Sequence, residues 1–408
     1  MSYIKRDMEQ VVLTLTKQYP VILITGPRQV GKTTMLQKLM EGTNRTYVSL
    51  DDLTVRELAK NDPAMFFQIN KPPILIDEVQ YAPELFTYIK ILVDKYHNAG
   101  DFWLTGSQIF KLMEGVRESL AGRVAVLSLS SLSQNEIYNH DNNLPFSLGL
   151  DKLLVKQKLA PKADTTEIYR RIFYGSMPAV VSKKYTDSNI FYRSYLNTYI
   201  ERDVRGLSDS IDALKFIRFM TATASRCGQI VNCAEIARDA DIHQVTAKNW
   251  MGILETLGII FYLYPYSNNQ LKRTIRAPKL YFYDTGLVCF LTRWSSPETL
   301  EFGAMNGAIL ENYAVGEIMK SYQNCGIEPF INYYRDKDTK EIDLVLEVDG
   351  ELHPMEIKKT ASPGTELIRV FKILDKASVP RGIGAILCMK DEISAIDSKH
   401  LIIPIGML

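Results

Sequence analysis

Five cysteines and five histidines are scattered through 408 residues. Cys227, Cys233, Cys289, Cys325 and Cys388 show no C-x-x-C spacing, which excludes a zinc finger or a dithiol redox pair. They read as reduced, packed thiols in a cytoplasmic protein. There is no charge surplus either: the formal net charge is +1, so bulk charge does not announce a nucleic-acid partner, although a local basic face stays open. No apolar run approaches the length of a membrane span, so no membrane partner is expected. Met1 to Gln10 is charged and lacks the apolar core of a secretory signal. Internal repeats and low-complexity tracts are also missing. What remains is ordinary globular composition, 46% hydrophobic and 23% charged, at a length for roughly two to four domains.

Against that background one segment stands out. Gly26-Pro27-Arg28-Gln29-Val30-Gly31-Lys32-Thr33-Thr34 follows the apolar run Val21-Ile22-Leu23-Ile24 and precedes the helical pattern Met35–Met40. Strand, glycine loop and helix are the context a phosphate-binding P-loop requires. Its glycines let backbone N–H groups curl around phosphate oxygens, and the helix N-terminus adds partial positive charge. Lys32 would reach the β- and γ-phosphates, and Thr33 would ligate Mg²⁺.

A second apolar strand ends in acid, Pro73-Ile74-Leu75-Ile76-Asp77-Glu78. Asp77 would hold Mg²⁺ through water, and Glu78 would polarise the attacking water. A third, Phe102-Trp103-Leu104, runs into Thr105-Gly106-Ser107, where the Ser107 hydroxyl could orient that water or touch the γ-phosphate. No N-K-x-D guanine-reading motif is present, which favours ATP.

The coarse organisation is a parallel α/β block at 1–134, an aromatic-rich helical lid at 135–206, a winged-helix-like segment at 207–279, and an α+β block at 280–408. Strands are expected at Val21–Thr25, Arg45–Leu50, Pro73–Ile76, Phe102–Thr105 and Val124–Leu129, with a helix over Ala82–Tyr96. In the third block, Ala234, Ile236 and Ala237 mark one short helix. Val245, Trp250, Ile253, Leu254 and Leu257 mark a second, after a turn at Asp241-Ile242. Gln244, Thr246, Lys248 and Asn249 would lie exposed on that second helix. With the basic residues Lys272, Arg273, Arg276 and Lys279 they could face duplex DNA, or the module could serve protein packing.

In the last block a helix around Ala308–Tyr322 carries Glu311. Strands are expected at Phe330–Tyr334, Glu341–Glu347, Glu351–Ile357 and Gly384–Met389. Strand alternation places Glu356 and Lys358 on one face. The set Glu311, Asp343, Glu356 and Lys358 resembles the PD-(D/E)XK restriction-endonuclease-like core, with Ile342 in place of the usual proline. The resemblance implies a Mg²⁺ or Mn²⁺ site with Lys358 beside the attacking water, or the same fold kept as a binding module.

As a whole the chain resembles the AAA+ ATPases with a C-terminal DUF4143 region. The residues carrying the likeness are Gly26–Thr34, Ile76–Gln80, Leu104–Ser107 (Ser107 at the sensor 1 position), Leu120–Arg123 and Tyr199–Val204. Gly175-Ser176-Met177-Pro178 is similar to a G-x-P lid motif, which implies Pro178 near the adenine. The family implies homo-oligomers and an arginine supplied by a neighbouring subunit. Arg117, Arg123, Arg202 and Arg205 are the candidates, and Arg123 holds the usual position. The expected function is Mg²⁺-ATP hydrolysis coupled to DNA or a partner. The alternatives are a STAND-like switch with slow hydrolysis and an ATP-regulated metal-dependent nuclease.

Overall fold

A computed structural model describes residues 3–107, 119–140, 143–185, 187–199, 212–268 and 277–408. The first sheet contains β1 (Val21–Thr25), β2 (Thr46–Ser49), β3 (Ile74–Asp77), β4 (Phe102–Thr105) and β5 (Val124–Ser128) in the order β2-β3-β4-β1-β5, all parallel. Its central strands β1, β3 and β4 are buried at every position because both faces are covered. Val21, Leu23, Ile74, Ile76, Phe102 and Leu104 enter a core under the helices Leu53–Asn61, Pro63–Ile69 and Glu84–Tyr96. The alternate residues Ile22, Ile24, Leu75 and Trp103 enter a second core on the opposite face. β2 is one residue shorter at each end than expected. At its start the Arg45 guanidinium instead lies over the Trp103 ring at 4.0 Å and donates to Gly100 O at 2.7 Å.

The segment expected as a lid holds the helices Leu150–Leu159, Thr165–Tyr174, Pro178–Val181 and Ser188–Tyr199. The next segment holds Ala213–Ala224, Cys233–Ala240 and Gln244–Thr256, then β6 (Ile260–Leu263) paired antiparallel with β7 (Lys279–Phe282). The first residue of β7, Lys279, was grouped with the basic residues of the preceding segment, and the strand crosses the boundary drawn between 279 and 280. Beyond its β6 pairing, the strand is strapped to the helix Asn306–Gln323. Phe282 N donates to Asn312 Oδ1 at 2.7 Å, and Asn312 Nδ2 donates to Phe282 O at 2.8 Å, so one side-chain amide mimics a neighbouring strand.

The C-terminal sheet contains β8 (Ile331–Arg335), β9 (Glu341–Val348), β10 (Glu351–Ile357), β11 (Gly384–Cys388), β12 (Ser394–Asp397) and β13 (His400–Pro404). Its order is β12-β13-β11-β10-β9-β8, and it is mixed: β10-β11 and β11-β13 are parallel, the other pairs antiparallel. The second core of the first sheet does not stop at the expected lid. It continues through Tyr169, Trp250 and Leu310 to Leu408.

Candidate nucleotide site and the C-terminal acidic cluster

Parallel strands end on one edge, and that edge collects the chemistry. β1 delivers the P-loop, β3 delivers Asp77 and Glu78, and β4 delivers Thr105 and Ser107. Gly26 has φ 131°, and a Cβ there would sit 2.0 Å from Leu129 O, so only glycine fits between β1 and the residue after β5. Gly31, at φ 95°, turns the chain into the helix Lys32–Met40. Lys32 Nζ donates to Gly26 O at 2.9 Å and Pro27 O at 2.7 Å, folding over the loop where phosphate oxygens would lie. Val30 anchors the loop in the core, 1% exposed. Arg28, Gln29 and Thr34 complete the segment.

Thr33 Oγ1 donates to Asp77 Oδ1 at 2.7 Å, Thr105 Oγ1 donates to the same oxygen, and Tyr47 OH donates to Oδ2 at 3.2 Å. Glu78 holds the left-handed backbone at φ 55°, uncommon for a non-glycine residue. Its Oε2 accepts from Ser107 Oγ at 3.2 Å and from Gln80 Nε2. The arrangement fits a nucleoside triphosphate with its Mg²⁺: a glycine cradle, a lysine at its mouth, and a hydroxyl–carboxylate pair of hard oxygen donors.

Two expected residues lie apart from this group. Arg123 precedes β5, at the opposite edge of the sheet, and pairs with Asp94 through Nε at 2.6 Å and Nη2 at 3.0 Å. Arg117, Arg202 and Arg205 lie outside the described residues. Pro178 opens a short helix, but the cavity beside the P-loop is lined by its neighbour Met177, with Pro27, Val30, Tyr192 and Tyr195.

The sequence reading missed Arg6. Its side chain is buried and donates to Val30 O in the P-loop at 2.6 Å, to Ser130 O at 2.9 Å and to Glu136 Oε1 at 2.8 Å. It also missed a buried polar junction behind the loop. Ser176 Oγ donates to Ser131 Oγ at 2.9 Å, and Ser176 N donates to Asp284 Oδ2 at 2.8 Å. Tyr192 OH donates to Asp284 Oδ1 at 2.7 Å. Lys320 Nζ, from the helix Asn306–Gln323, donates to Leu132 O, Ser176 Oγ and Glu317 Oε1 at 2.9–3.0 Å. A lone arginine or lysine in sequence carries no pattern that foretells burial.

On the helix Gln244–Thr256, Gln244, Val245, Lys248 and Asn249 are exposed and Thr246 is half-buried. The opposite end of that helix leads to Gly258, at φ 68°, where a Cβ would meet Pro27 Cδ at 3.0 Å. The segment therefore rests directly on the P-loop. Lys272, Arg273 and Arg276 lie outside the described residues. Lys279 is not part of a basic DNA-facing surface: its side chain is 4% exposed and paired with Glu311 at 2.8 Å and Glu341 at 2.6 Å.

The C-terminal acids do gather. Asp343 Oδ2 accepts from Ile357 N at 2.9 Å and Lys358 Nζ at 2.8 Å, and Lys358 Nζ lies 2.6 Å from Glu356 Oε2. Tyr281 OH donates to Glu311 Oε1 at 2.6 Å. Burial, then the nearby Asp343 charge, pushes the Glu356 carboxyl up to about 8 and raises Glu311 as well. Burial pulls both ammonium groups down, but Glu311, Asp343 and Glu341 outweigh it at Lys279, and Asp343 and Glu356 outweigh it at Lys358. Both end above the ordinary lysine range. The expectation of carboxylates grouped around a shared divalent ion is not met: among the described residues no three acidic, histidine or cysteine side chains are placed to hold a metal. The ammonium groups lie between the acids instead.

Comparison with known proteins agrees with the N-terminal geometry. Residues 18–138 match the AAA domain family, 165–298 match DUF8612, a domain of unknown function, and 306–408 match DUF4143, another domain of unknown function. Uncharacterized protein Rv2008c of Mycobacterium tuberculosis is 29% identical over 360 residues, covering 88% of this chain and 75% of that one. Uncharacterized protein MJ1637 of Methanocaldococcus jannaschii is 23% identical over 311 residues, covering 69% and 62%. Among solved structures, the Walker-type ATPase PABY2304 of Pyrococcus abyssi aligns with a TM-score of 0.46 at 14% identity, over 71% of this chain and 96% of that one. No helix among the described residues is long and apolar enough to cross a membrane. By its P-loop sheet and its matched segments, the chain carries an N-terminal AAA-type P-loop domain and a C-terminal DUF4143 segment.

Proposed function

We propose that the protein hydrolyses Mg²⁺-ATP and that the reaction is coupled to its C-terminal half. The single observation behind this is the convergence of Lys32, Thr33, Asp77, Glu78 and Ser107 on one sheet edge. Bound Mg²⁺ would offset negative charge on the phosphates as the terminal phosphoryl group transfers. Lys32 would leave the Gly26 and Pro27 carbonyls for phosphate oxygens. Thr33 and Asp77, already 2.7 Å apart, would hold the ion. Glu78, steadied by Ser107 and Gln80, would orient the attacking water. Lys32→Ala is expected to abolish ATP binding. Glu78→Gln should keep binding and lose turnover by roughly a hundredfold or more. Wild-type turnover in Glu78→Gln would remove Glu78 from its role.

Arg123, held by Asp94 far from its own P-loop, suits a role across a subunit boundary, so specific activity should rise with protein concentration. The exposed Gln244, Lys248 and Asn249 suit weak, salt-sensitive contacts to duplex DNA.

A second reading, a nucleotide-dependent switch with slow hydrolysis, is favoured by the packing of Gly258 on Pro27. Multiple-turnover ATPase assays with and without DNA separate the two: a motor is accelerated, a switch stays near one turnover.

A further inference from the structure

The acids of the C-terminal domain follow a metal-dependent pattern in sequence, yet the folded chain sets a lysine from another element against one of them, Glu311. Lys279 does not belong to that sheet. It comes from β7, the partner of β6, and enters with a side chain only 4% exposed. Its ammonium contacts Glu311 of the helix Asn306–Gln323 at 2.8 Å and Glu341 of β9 at 2.6 Å. The Asp343 charge acts on it as well. Tyr281, two residues along the same face of β7, secures Glu311 by its hydroxyl. Beside this group, Glu356 keeps one oxygen on Lys358, while its other oxygen, Oε1, is buried with no hydrogen-bond partner and its side chain is 7% exposed. A buried carboxyl oxygen left over beside tethered lysines shows that the acid oxygens here outnumber the donors these monovalent cations supply.

We propose that Lys279 is a built-in substitute for a divalent metal ion, holding Glu311 and Glu341 beside the Asp343–Lys358–Glu356 group and closing these acids to Mg²⁺ and Mn²⁺. An ammonium donates at most three hydrogen bonds and brings a single charge. It therefore ties the acids into a structural ion-pair group and excludes a second cation by repulsion. Since β7 is strapped to the same helix by Asn312, the lysine is held in place by backbone as well as by charge. The inference is independent of the ATPase reading, because it concerns residues that do not touch the P-loop.

The test is a titration of the nucleotide-free protein with Mn²⁺ alone, followed by the electron paramagnetic resonance of free ion and by thermal melting. The wild type should show no stoichiometric binding and no rise in Tm. Lys279→Met should bind one Mn²⁺ per chain at least roughly tenfold more tightly than wild type, because one of the two competing charges is gone and only Lys358 remains. Its lowered Tm should recover with added Mn²⁺. Adding Glu311→Gln should abolish that gain. Lys279→Met that folds but binds no better than wild type overturns the proposal. So does one stoichiometric Mn²⁺ in the wild type that Asp343→Asn removes, a result readable even if Lys279→Met does not fold.

Discussion

Removing the Arg6 side chain probes how the P-loop is held. Arg6→Ala deletes the bonds to Val30 O, Ser130 O and Glu136 Oε1 at 2.6–2.9 Å and leaves the Glu136 carboxylate buried. Breaking a buried ion pair from one side costs about 3–5 kcal/mol. Glu136 keeps backbone donors, Asp7 N at 3.0 Å and Ser133 N at 2.8 Å, so the lower end applies, about 3 kcal/mol. With a transition entropy of about 2.1 cal/mol/K per residue, a chain of this length melting as one unit should lose roughly 3–4 °C in Tm. The double variant Arg6→Met/Glu136→Gln removes both charges and should recover most of that loss. Nucleotide affinity should behave differently. Val30 O has lost its anchor in both variants, so both should bind a fluorescent ATP analogue several-fold more weakly, by the roughly 1 kcal/mol of one hydrogen bond. A Tm change below about 1 °C in Arg6→Ala would refute the stability reasoning. Full recovery of nucleotide affinity in the double variant would refute the claim that Arg6 braces the loop.

Asp7 gives a pH prediction. Burial, then the Glu136 charge, raises its carboxyl to about 6, against about 3.9 in the unfolded chain. The native state then holds the extra proton between these values, so stability falls as pH rises from about 4 to about 6 and levels off above. Asp7→Asn should flatten that slope in chemical denaturation and stabilise the protein at pH 7 by about 1–2 kcal/mol; a slope unchanged between pH 4 and 6 would assign it to other groups. Gly258→Ala places a Cβ 3.0 Å from Pro27 on a backbone at φ 68°. It should cost about 1–2 kcal/mol and change ATP affinity; unchanged affinity would mean that the contact does not communicate with the P-loop.

The nucleotide edge was legible because its motifs are local. A strand, a glycine turn and a helix start occupy consecutive residues, and the apolar runs of β1, β3 and β4 declare strands buried on two faces. The order β2-β3-β4-β1-β5 was not legible, since no residue pattern states which parallel strands are neighbours. β7 was missed because Lys279 looks like a solvent-facing residue, and its burial depends on Glu311 and Glu341, far along the chain. β12 and β13 escaped for a related reason: they are short, and β12 is only half-buried. In the C-terminal domain alternation correctly put Glu356 and Lys358 together, but not the cation entering from another element.

The helix Asn306–Gln323 offers Asn312 to β7, Glu311 to Lys279, Glu317 to Gln134 N at 2.8 Å, and Lys320 to Leu132 O at 3.0 Å. It begins the last of the matched family segments, yet its side chains complete the other two. Inheritance by separate exchange of those segments would strand its polar groups in an apolar interior. A recombinant that joined this AAA segment to a foreign C-terminal partner would need a replacement for each of these anchors at once. A cut at the boundaries its sequence suggests would therefore leave partners of these anchors unpaired on both sides.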